Sequence, residues 1–422
     1  MPAIPEDDIL RKLTDPALRP VAERVIAGTP LSHADGVALY ATRDLHSVGR
    51  LAHLVRTRLH GDRVYYNRNR HINYTNVCAL SCKFCSFYRK RGEAGAYEMP
   101  VEQVVATAVK ARQAGATEVH VVGGLHPWLK FDYYLDLMRG IRAAAPGLHI
   151  KAFTAIEIIH FGRISRQPIA DVLTQLRDAG LGSLPGGGAE IFDDRVHDAV
   201  FKGKVRADKW FEVHRTAHAL GIYSNATMLY GHVETPSERV GHLIKLRELQ
   251  GESLGNCRLP IADCRSEDGV PASSIGNGQS AIGNGKAFFN CAIPLSFAPE
   301  HSELGHLPGP TGLTDLKTLA IARLMLDNVA HVKAFWIMQG VGLSQVALDW
   351  GCDDLDGTVV WYDITKREGD AAAPTHQEMH VGDLQRLIRE AGKTPVERDT
   401  LYREVRRDPG TGAVVSPELV GA

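Results

Sequence analysis

The run Arg70-His-Ile-Asn-Tyr-Thr-Asn-Val-Cys78-Ala-Leu-Ser-Cys82-Lys-Phe-Cys85 decides both the fold and the chemistry expected of this chain. Ile72 to Asn76 reads as a short strand, and three cysteines follow it at once with the spacing Cys-x3-Cys-x2-Cys. A reactive loop directly after a strand is the arrangement of an α/β barrel, whose working groups sit at the C-terminal ends of its strands. The other four cysteines, Cys257, Cys264, Cys291 and Cys352, are scattered. In a reducing compartment so tight a group points to metal or redox chemistry rather than to disulfides. Structural zinc takes four ligands, commonly as two separated pairs, and no second pair is near. Three thiolates on a [4Fe–4S] cubane instead leave one iron open to a non-protein ligand. S-adenosylmethionine can chelate that iron through its amino and carboxylate groups, and an electron from the cluster then cleaves the sulfonium to a 5′-deoxyadenosyl radical. Cys78, Cys82 and Cys85 are thus the expected metal ligands, with a [4Fe–4S] cluster and S-adenosylmethionine as the cofactors. A binding module stabilised by zinc is the rival from another class.

Outward from that loop, short β-rich runs alternate with amphipathic helices. Strands are expected at Ile72–Asn76, Glu118–Val122, His149–Thr154, Gly182–Leu184, Tyr223–Leu229, Phe288–Leu295, Lys333–Met338 and Gly357–Val360. Between them, Val101, Val104, Val105 and Ala108 fall on one helical face, as do Tyr134, Leu137, Met138 and Ile141. Thr235-Pro-Ser-Glu238 is a capping box with proline at the first helical position. Eight strands alternating with helices predict a TIM-like (β/α)8 barrel over residues 71–362. Residues 1–70 read as an N-terminal helical extension, and 363–422 as a C-terminal tail with one helix. Gly251 to Ala287, rich in Gly, Ser and Asn, interrupts the alternation as an insertion expected to be an exposed excursion.

Composition narrows the partners. In 422 residues, 48 Lys+Arg balance 49 Asp+Glu, which gives no electrostatic footprint for nucleic acid or a membrane surface. No apolar run approaches the roughly 20 residues of a membrane span, and the N-terminus has no secretory h-region. The chain is expected to be cytoplasmic.

The residues resemble the radical S-adenosylmethionine superfamily. Arg70 to Cys78, Cys82 to Phe87, Val122 to Pro127, Lys151 to Ile158, Ser183 to Phe192, His214 to Gly221, Asn225 to Thr235, His306 to Thr318 and Glu397 to Tyr402 resemble the aminofutalosine synthase family within it. The insertion and a patch around Lys366 to His376 depart from that pattern. The resemblance implies addition of the adenosyl radical to 3-[(1-carboxyvinyl)oxy]benzoate, giving 6-amino-6-deoxyfutalosine, bicarbonate and methionine on the way to menaquinone. It also implies a small-molecule substrate and an electron donor such as flavodoxin or ferredoxin. Sibling readings are a cyclic dehypoxanthine futalosine synthase or a deazaflavin-synthase half, which abstract hydrogen instead.

The superfamily pattern places Phe84 near the adenosyl group and the backbone of Gly123 and Gly124 near the methionine amino group. Glu157, at the end of the third strand, is expected to accept hydrogen bonds from ribose hydroxyls or to act in catalysis. His126, after the Gly-Gly turn, and His232, after the fifth strand, are the histidines expected to contact substrate or move a proton; Asn225 is a similar candidate. Pro185 to Glu190 lacks the Lys and Ser/Thr of a phosphate loop and reads as a turn that approaches a ligand. His214 and His218 have zinc-like i, i+4 spacing but no third ligand, and read as structural.

Overall fold

The computed structural model describes residues 6–201, 203, 205–255, 287–359 and 378–416. The insertion's residues 256–286, with Cys257 and Cys264, and the Lys366–His376 patch lie outside the described residues.

Among the described residues, ten strands are laid down in chain order: β1 (Arg63–Asn67), β2 (Asn69–Asn73), β3 (Glu118–Val122), β4 (His149–Ala152), β5 (Ser183–Leu184), β6 (Tyr223–Tyr230), β7 (Phe289–Ser296), β8 (His331–Val332), β9 (Asp354–Gly357) and β10 (Thr394–Glu397). Strands β2 to β8 form one sheet in sequence order, every pair parallel. Helical crossovers between successive strands make the TIM-like α/β architecture that the alternation predicts. A second parallel sheet has the order β10-β1-β9, and β9 links the two ends of the first. Ala334 N–H donates to the Asp354 carbonyl at 2.9 Å on one side. On the other, His71 N–H donates to the Val359 carbonyl at 3.0 Å, just past β9.

Local chemistry explains most element boundaries. The capping box at Thr235 opens Pro236–Ser253, and a second one at Thr154 opens Ala155–Ser165. Helix Val101–Gln113 buries Val104, Ala108 and Ala111, and helix Phe131–Ala144 buries Tyr134, Leu137, Met138 and Ile141, as the periodicity requires. The N-terminal helices are not a separate layer: Leu45–His60 packs along Gly312–Met325 of the barrel. No helix among the described residues is long and apolar enough to cross a membrane.

Four elements differ from the sequence expectation. The strand expected at Ile72–Asn76 lies three residues earlier, at Asn69–Asn73. Lys333–Met338 is not the seventh strand: β8 stops at Val332, and Trp336–Gln339 forms a helical turn. An apolar run of that length does not tell a buried strand from a buried helix. The strand expected at Gly357–Val360 lies earlier, at Asp354–Gly357, because Asp354 and Asp356 point inward to buried cations and interrupt the apolar pattern. Finally, Arg63-Val-Tyr-Tyr-Asn67 forms β1 where helix was expected, with β10 of the tail beside it. Its aromatic, β-branched composition suits a strand, but its partners lie about 290 and 330 residues away in sequence.

The barrel interior is unusual in its polarity. Register places His71, His120, Lys151 and Ser183 side by side on β2 to β5. Barrel interiors are ordinarily filled with branched apolar side chains. Here a cavity of about 320 Å³ remains above this polar layer.

Candidate active site

The cavity runs between two chemically different ends. At the strand ends, its wall includes Cys78, Cys82, Phe84 and Cys85; at the other end it includes His71, Glu118, His120, Lys151, Lys333 and Asp356.

The cysteine loop is held by main-chain contacts. Leu80 and Leu125 N–H groups both donate to Cys78 Sγ, at 3.4 Å. Cys78 N–H donates to the Arg89 carbonyl at 3.0 Å, Ala79 N–H to the Leu125 carbonyl at 2.9 Å, and Cys85 N–H to the Cys82 carbonyl at 3.0 Å. Lys90 Nζ caps the loop by donating to the carbonyls of Cys78, Ala79 and Leu80 at 3.0, 3.3 and 2.9 Å. Phe84 packs edge-on against Phe201, ring centroids 5.1 Å apart. Gly123 and Gly124 let β3 run close beneath this loop. A Cβ at Gly124 would lie 2.4 Å from the Val77 carbonyl oxygen, and one at Gly123 2.9 Å from that of Thr75. These glycines therefore set how closely the strand end can approach Cys78.

Glu157 lines the cavity, yet its acceptor sites are filled by the protein. Oε1 accepts from Tyr74 Oη at 2.7 Å and from Gly123 N–H at 3.1 Å. Oε2 accepts from Thr154 N–H at 2.7 Å and Thr154 Oγ1 at 2.8 Å. A carboxylate has about four lone-pair directions, so little capacity remains for a ribose hydroxyl. Burial pushes its pKa up to about 7 against the pull of these donors. Glu157 thereby ties the ends of β2, β3 and β4 together.

The two expected histidines are not on the cavity wall. His126 Nδ1 accepts from the Trp128 and Leu129 N–H groups at 3.3 and 3.1 Å, and its Nε2 lies 2.7 Å from Glu98 Oε2. Burial holds its pKa below the ordinary value. His232 has Nε2 3.2 Å from the Leu229 carbonyl, and Phe201 and Phe297 pack edge-on against its ring. Asn225 and Gly187–Gly188 do reach the wall. Gly186 sits at φ +80°, where a Cβ would strike the Asn225 carbonyl oxygen at 1.9 Å, so the turn exists to pass close to β6. His214 and His218 both bond Ser224 Oγ, at 3.0 and 2.8 Å, and are structural as expected.

Sequence reading missed the opposite end of the cavity. Lys151 Nζ donates to Glu118 Oε2 at 2.7 Å, and Thr400 Oγ1 of the tail donates to the same oxygen at 2.6 Å. Lys333 Nζ donates to Asp356 Oδ1 at 2.5 Å, and Arg398 Nε to Asp354 Oδ2 at 2.6 Å. His71 and His120 stack obliquely, centroids 4.3 Å apart. Burial pushes the His71 pKa down to about 4 and holds that of His120 well below the ordinary value, so both rings are neutral. Burial would raise the Glu118 pKa, but Lys151 and Arg398 hold it well below the usual range. The signal that could have found this layer is polar residues at alternate positions of barrel strands: His71 and Asn73 on β2, Glu118 and His120 on β3.

A three-cysteine loop at the mouth of a parallel α/β barrel, over a cavity with a polar floor, defines the class. The chain belongs to the radical S-adenosylmethionine superfamily. The superfamily's model matches residues 72–246, and the CofH/MqnC C-terminal region matches residues 287–410. The chain is 44% identical over 401 residues to the aminodeoxyfutalosine synthase of Thermus thermophilus, covering 94% of this chain and 98% of that one. Identity to the aminodeoxyfutalosine synthase of Streptomyces coelicolor is 42%, covering 93% and 95%. The 5-amino-6-(D-ribitylamino)uracil–L-tyrosine 4-hydroxyphenyl transferase of Methanopyrus kandleri is 35% identical, covering 92% and 95%. Among solved structures, methylornithine synthase shares the fold with a TM-score of 0.64 at 17% identity, covering 88% and 96%. The hydrogenase maturase HydG of Carboxydothermus hydrogenoformans does so at 0.65 and 14%, covering 94% and 84%.

The protein is therefore an enzyme of transferase type, with a [4Fe–4S] cluster and S-adenosylmethionine as its cofactors. The residues present fit them. All three thiols open on one cavity, and two N–H groups already aim at Cys78 Sγ, the kind of contact that tunes a cluster. Among the described residues, the ligand-bearing trio drawn within 4.8 Å of one another is His60, His331 and Asp353, not the three cysteines.

Proposed function

We propose that the enzyme joins the 5′-deoxyadenosyl group to the vinyl carbon of 3-[(1-carboxyvinyl)oxy]benzoate, giving 6-amino-6-deoxyfutalosine, bicarbonate and methionine in menaquinone synthesis. The observation that carries this reading is end-to-end likeness at 44% and 42% to two aminodeoxyfutalosine synthases, against 35% to a hydroxyphenyl transferase. When bound, the cluster and S-adenosylmethionine supply the 5′-deoxyadenosyl radical. In this reading Cys78, Cys82 and Cys85 hold the cluster. Phe84 and the backbone at Gly123 and Gly124 shape the neighbouring cofactor pocket, and Glu157 fixes that backbone. The apolar wall, with Val122, Leu229, Ile293, Leu295 and Phe335, excludes water around the reacting carbon. The reductant is an electron-transfer protein such as flavodoxin or ferredoxin, and the enzyme works in the cytoplasm.

A second reading is a sibling that abstracts hydrogen; the match to the CofH/MqnC C-terminal region favours it. The fate of the radical separates the two. Reconstituted enzyme is given S-adenosylmethionine, reductant and deuterated enolpyruvyl benzoate without oxygen. Addition puts the adenosyl group covalently in the product, with one methionine per turnover and no deuterium in 5′-deoxyadenosine. Stoichiometric 5′-deoxyadenosine carrying substrate deuterium overturns the addition reading.

A further inference from the structure

The floor of the cavity carries two buried ammonium groups, each paired with its own carboxylate. Lys151 and Lys333 are each only 4% exposed, on the same cavity, and burial, with the nearby Lys333 ammonium adding to it, disfavours charge on Lys151. Buried ion pairs are seldom more stabilising than apolar packing of the same volume. Two of them where a barrel normally carries branched apolar side chains, with open space left above, are therefore poorly explained by stability. An ammonium has three N–H donors, and each lysine gives one to its own carboxylate, Glu118 or Asp356. That leaves each ammonium two donors, on a cavity wall where the paired charges cancel and His71 and His120 are neutral. Such a floor offers hydrogen bonds to a carboxylate without needing a permanent counter-ion when empty.

Resting on the reading above, we infer that Lys151 and Lys333 form the subsite for the ring carboxylate of an aryl dicarboxylate substrate, and that Thr400 positions Lys151 through Glu118. The reacting vinyl carbon belongs at the cysteine end, and its own carboxylate stays beside it. The carboxylate on the far side of the aromatic ring is the one that reaches the floor, while the apolar wall takes the ring between. The tail motif Glu397 to Tyr402 then has a purpose: Thr400 bonds Glu118, and Arg398 bonds Asp354 on the strand that carries Asp356.

The test is equilibrium binding to cluster-loaded enzyme with S-adenosylmethionine present and reductant absent. The probes are 3-[(1-carboxyvinyl)oxy]benzoate and 2-phenoxyacrylate, the same molecule without the ring carboxylate. Wild type should bind the diacid at least tenfold more tightly, and Lys151→Gln or Lys333→Gln should erase most of that preference while changing phenoxyacrylate binding less than threefold. Because a lone Glu118 or Asp356 left buried endangers folding, the paired variants Lys151→Gln/Glu118→Gln and Lys333→Gln/Asp356→Asn carry the same expectation. Thr400→Val should raise KM for the diacid severalfold with kcat little changed, and Thr400→Ser should restore it. Wild type that binds neither probe overturns the substrate reading. Wild type that prefers the diacid, with paired variants that keep the preference, overturns the subsite alone.

Discussion

The two ends of one cavity are built on different principles. The cysteine end comes from a single run of the chain, partly open, and is shaped by main-chain N–H and carbonyl groups around Cys78. The floor comes from β2, β3, β4, the segment after β8, β9 and the tail, and is almost entirely side-chain ion pairs shut off from water. The first needs a spacing, the second needs a register. A spacing is a property of the sequence, whereas a register exists only once strands far apart in the chain have paired.

The hardest way to break this contrast is at the cysteines. Replacing Cys78, Cys82 or Cys85 with Ala should abolish reductive cleavage of S-adenosylmethionine, because three thiolates are the minimum the site offers. Methionine and 5′-deoxyadenosine release measures it, and turnover retained in any one variant overturns the ligand set. Gly124→Ala should come next. Its Cβ would lie 2.4 Å from the Val77 carbonyl oxygen and 3.1 Å from Cys78 Cβ, so backbone has to move under the loop. Iron bound per chain after reconstitution should fall severalfold while far-ultraviolet circular dichroism stays native. Gly241→Ala, with nothing within 4 Å, is the control and should leave both unchanged. Full iron loading in Gly124→Ala shows instead that the loop tolerates displacement.

Legibility followed the same divide. Cys78, Cys82 and Cys85 were visible from local spacing, Phe84 and Gly123 through the superfamily resemblance, and all reach the cavity wall. The strands β3, β4, β6 and β7 were visible because they are apolar runs bracketed by amphipathic helices. β1 and β10 were not, since neither makes a ladder with a sequence neighbour. Lys333 and Asp356 were invisible as a pair for the same reason: they stand 23 positions apart, with the helices Trp336–Gln339 and Val341–Ala347 between them. Glu157 was found by position, but its surroundings were not. The capping box that fills one oxygen is readable in Thr154-x-x-Glu157, whereas Tyr74 and Gly123 on the other come from strands paired through the barrel.

Glu157 offers a milder test at the join of the two ends. Glu157→Gln replaces one acceptor oxygen with an NH₂ that faces protein donors, and should cost about 1–3 kcal/mol of stability, read as a fall in melting temperature. The loss should depend on pH. The carboxyl titrates near 7 when folded and near its ordinary 4.5 when unfolded, so between those values the unfolded chain has released a proton that the folded one keeps. Its contribution is therefore largest below about pH 4.5 and declines as pH rises to about 7. The gap between wild type and Glu157→Gln should narrow across that window. A gap that widens instead means the four donors hold the carboxylate ionised, and the burial argument fails.

The smallest effects are expected at His126 and His232, and they test whether position after a strand is enough to make a residue catalytic. His126 spends Nδ1 on two amides of its own turn and Nε2 on Glu98, while His232 is enclosed by Phe201 and Phe297. His126→Asn keeps an acceptor near the two amides, and His232→Gln keeps a donor near the Leu229 carbonyl. Both variants should retain kcat/KM within about threefold, with an unchanged pH profile, because neither ring lines the cavity. His126→Leu, which strands two amides without an acceptor, should lower the melting temperature and leave the profile's shape alone. A hundredfold fall in kcat for His126→Asn, with iron content and melting temperature intact, reverses this conclusion. The turn would then have to open toward the cavity during turnover, and the loop histidine would be working where its place after the strand first suggested.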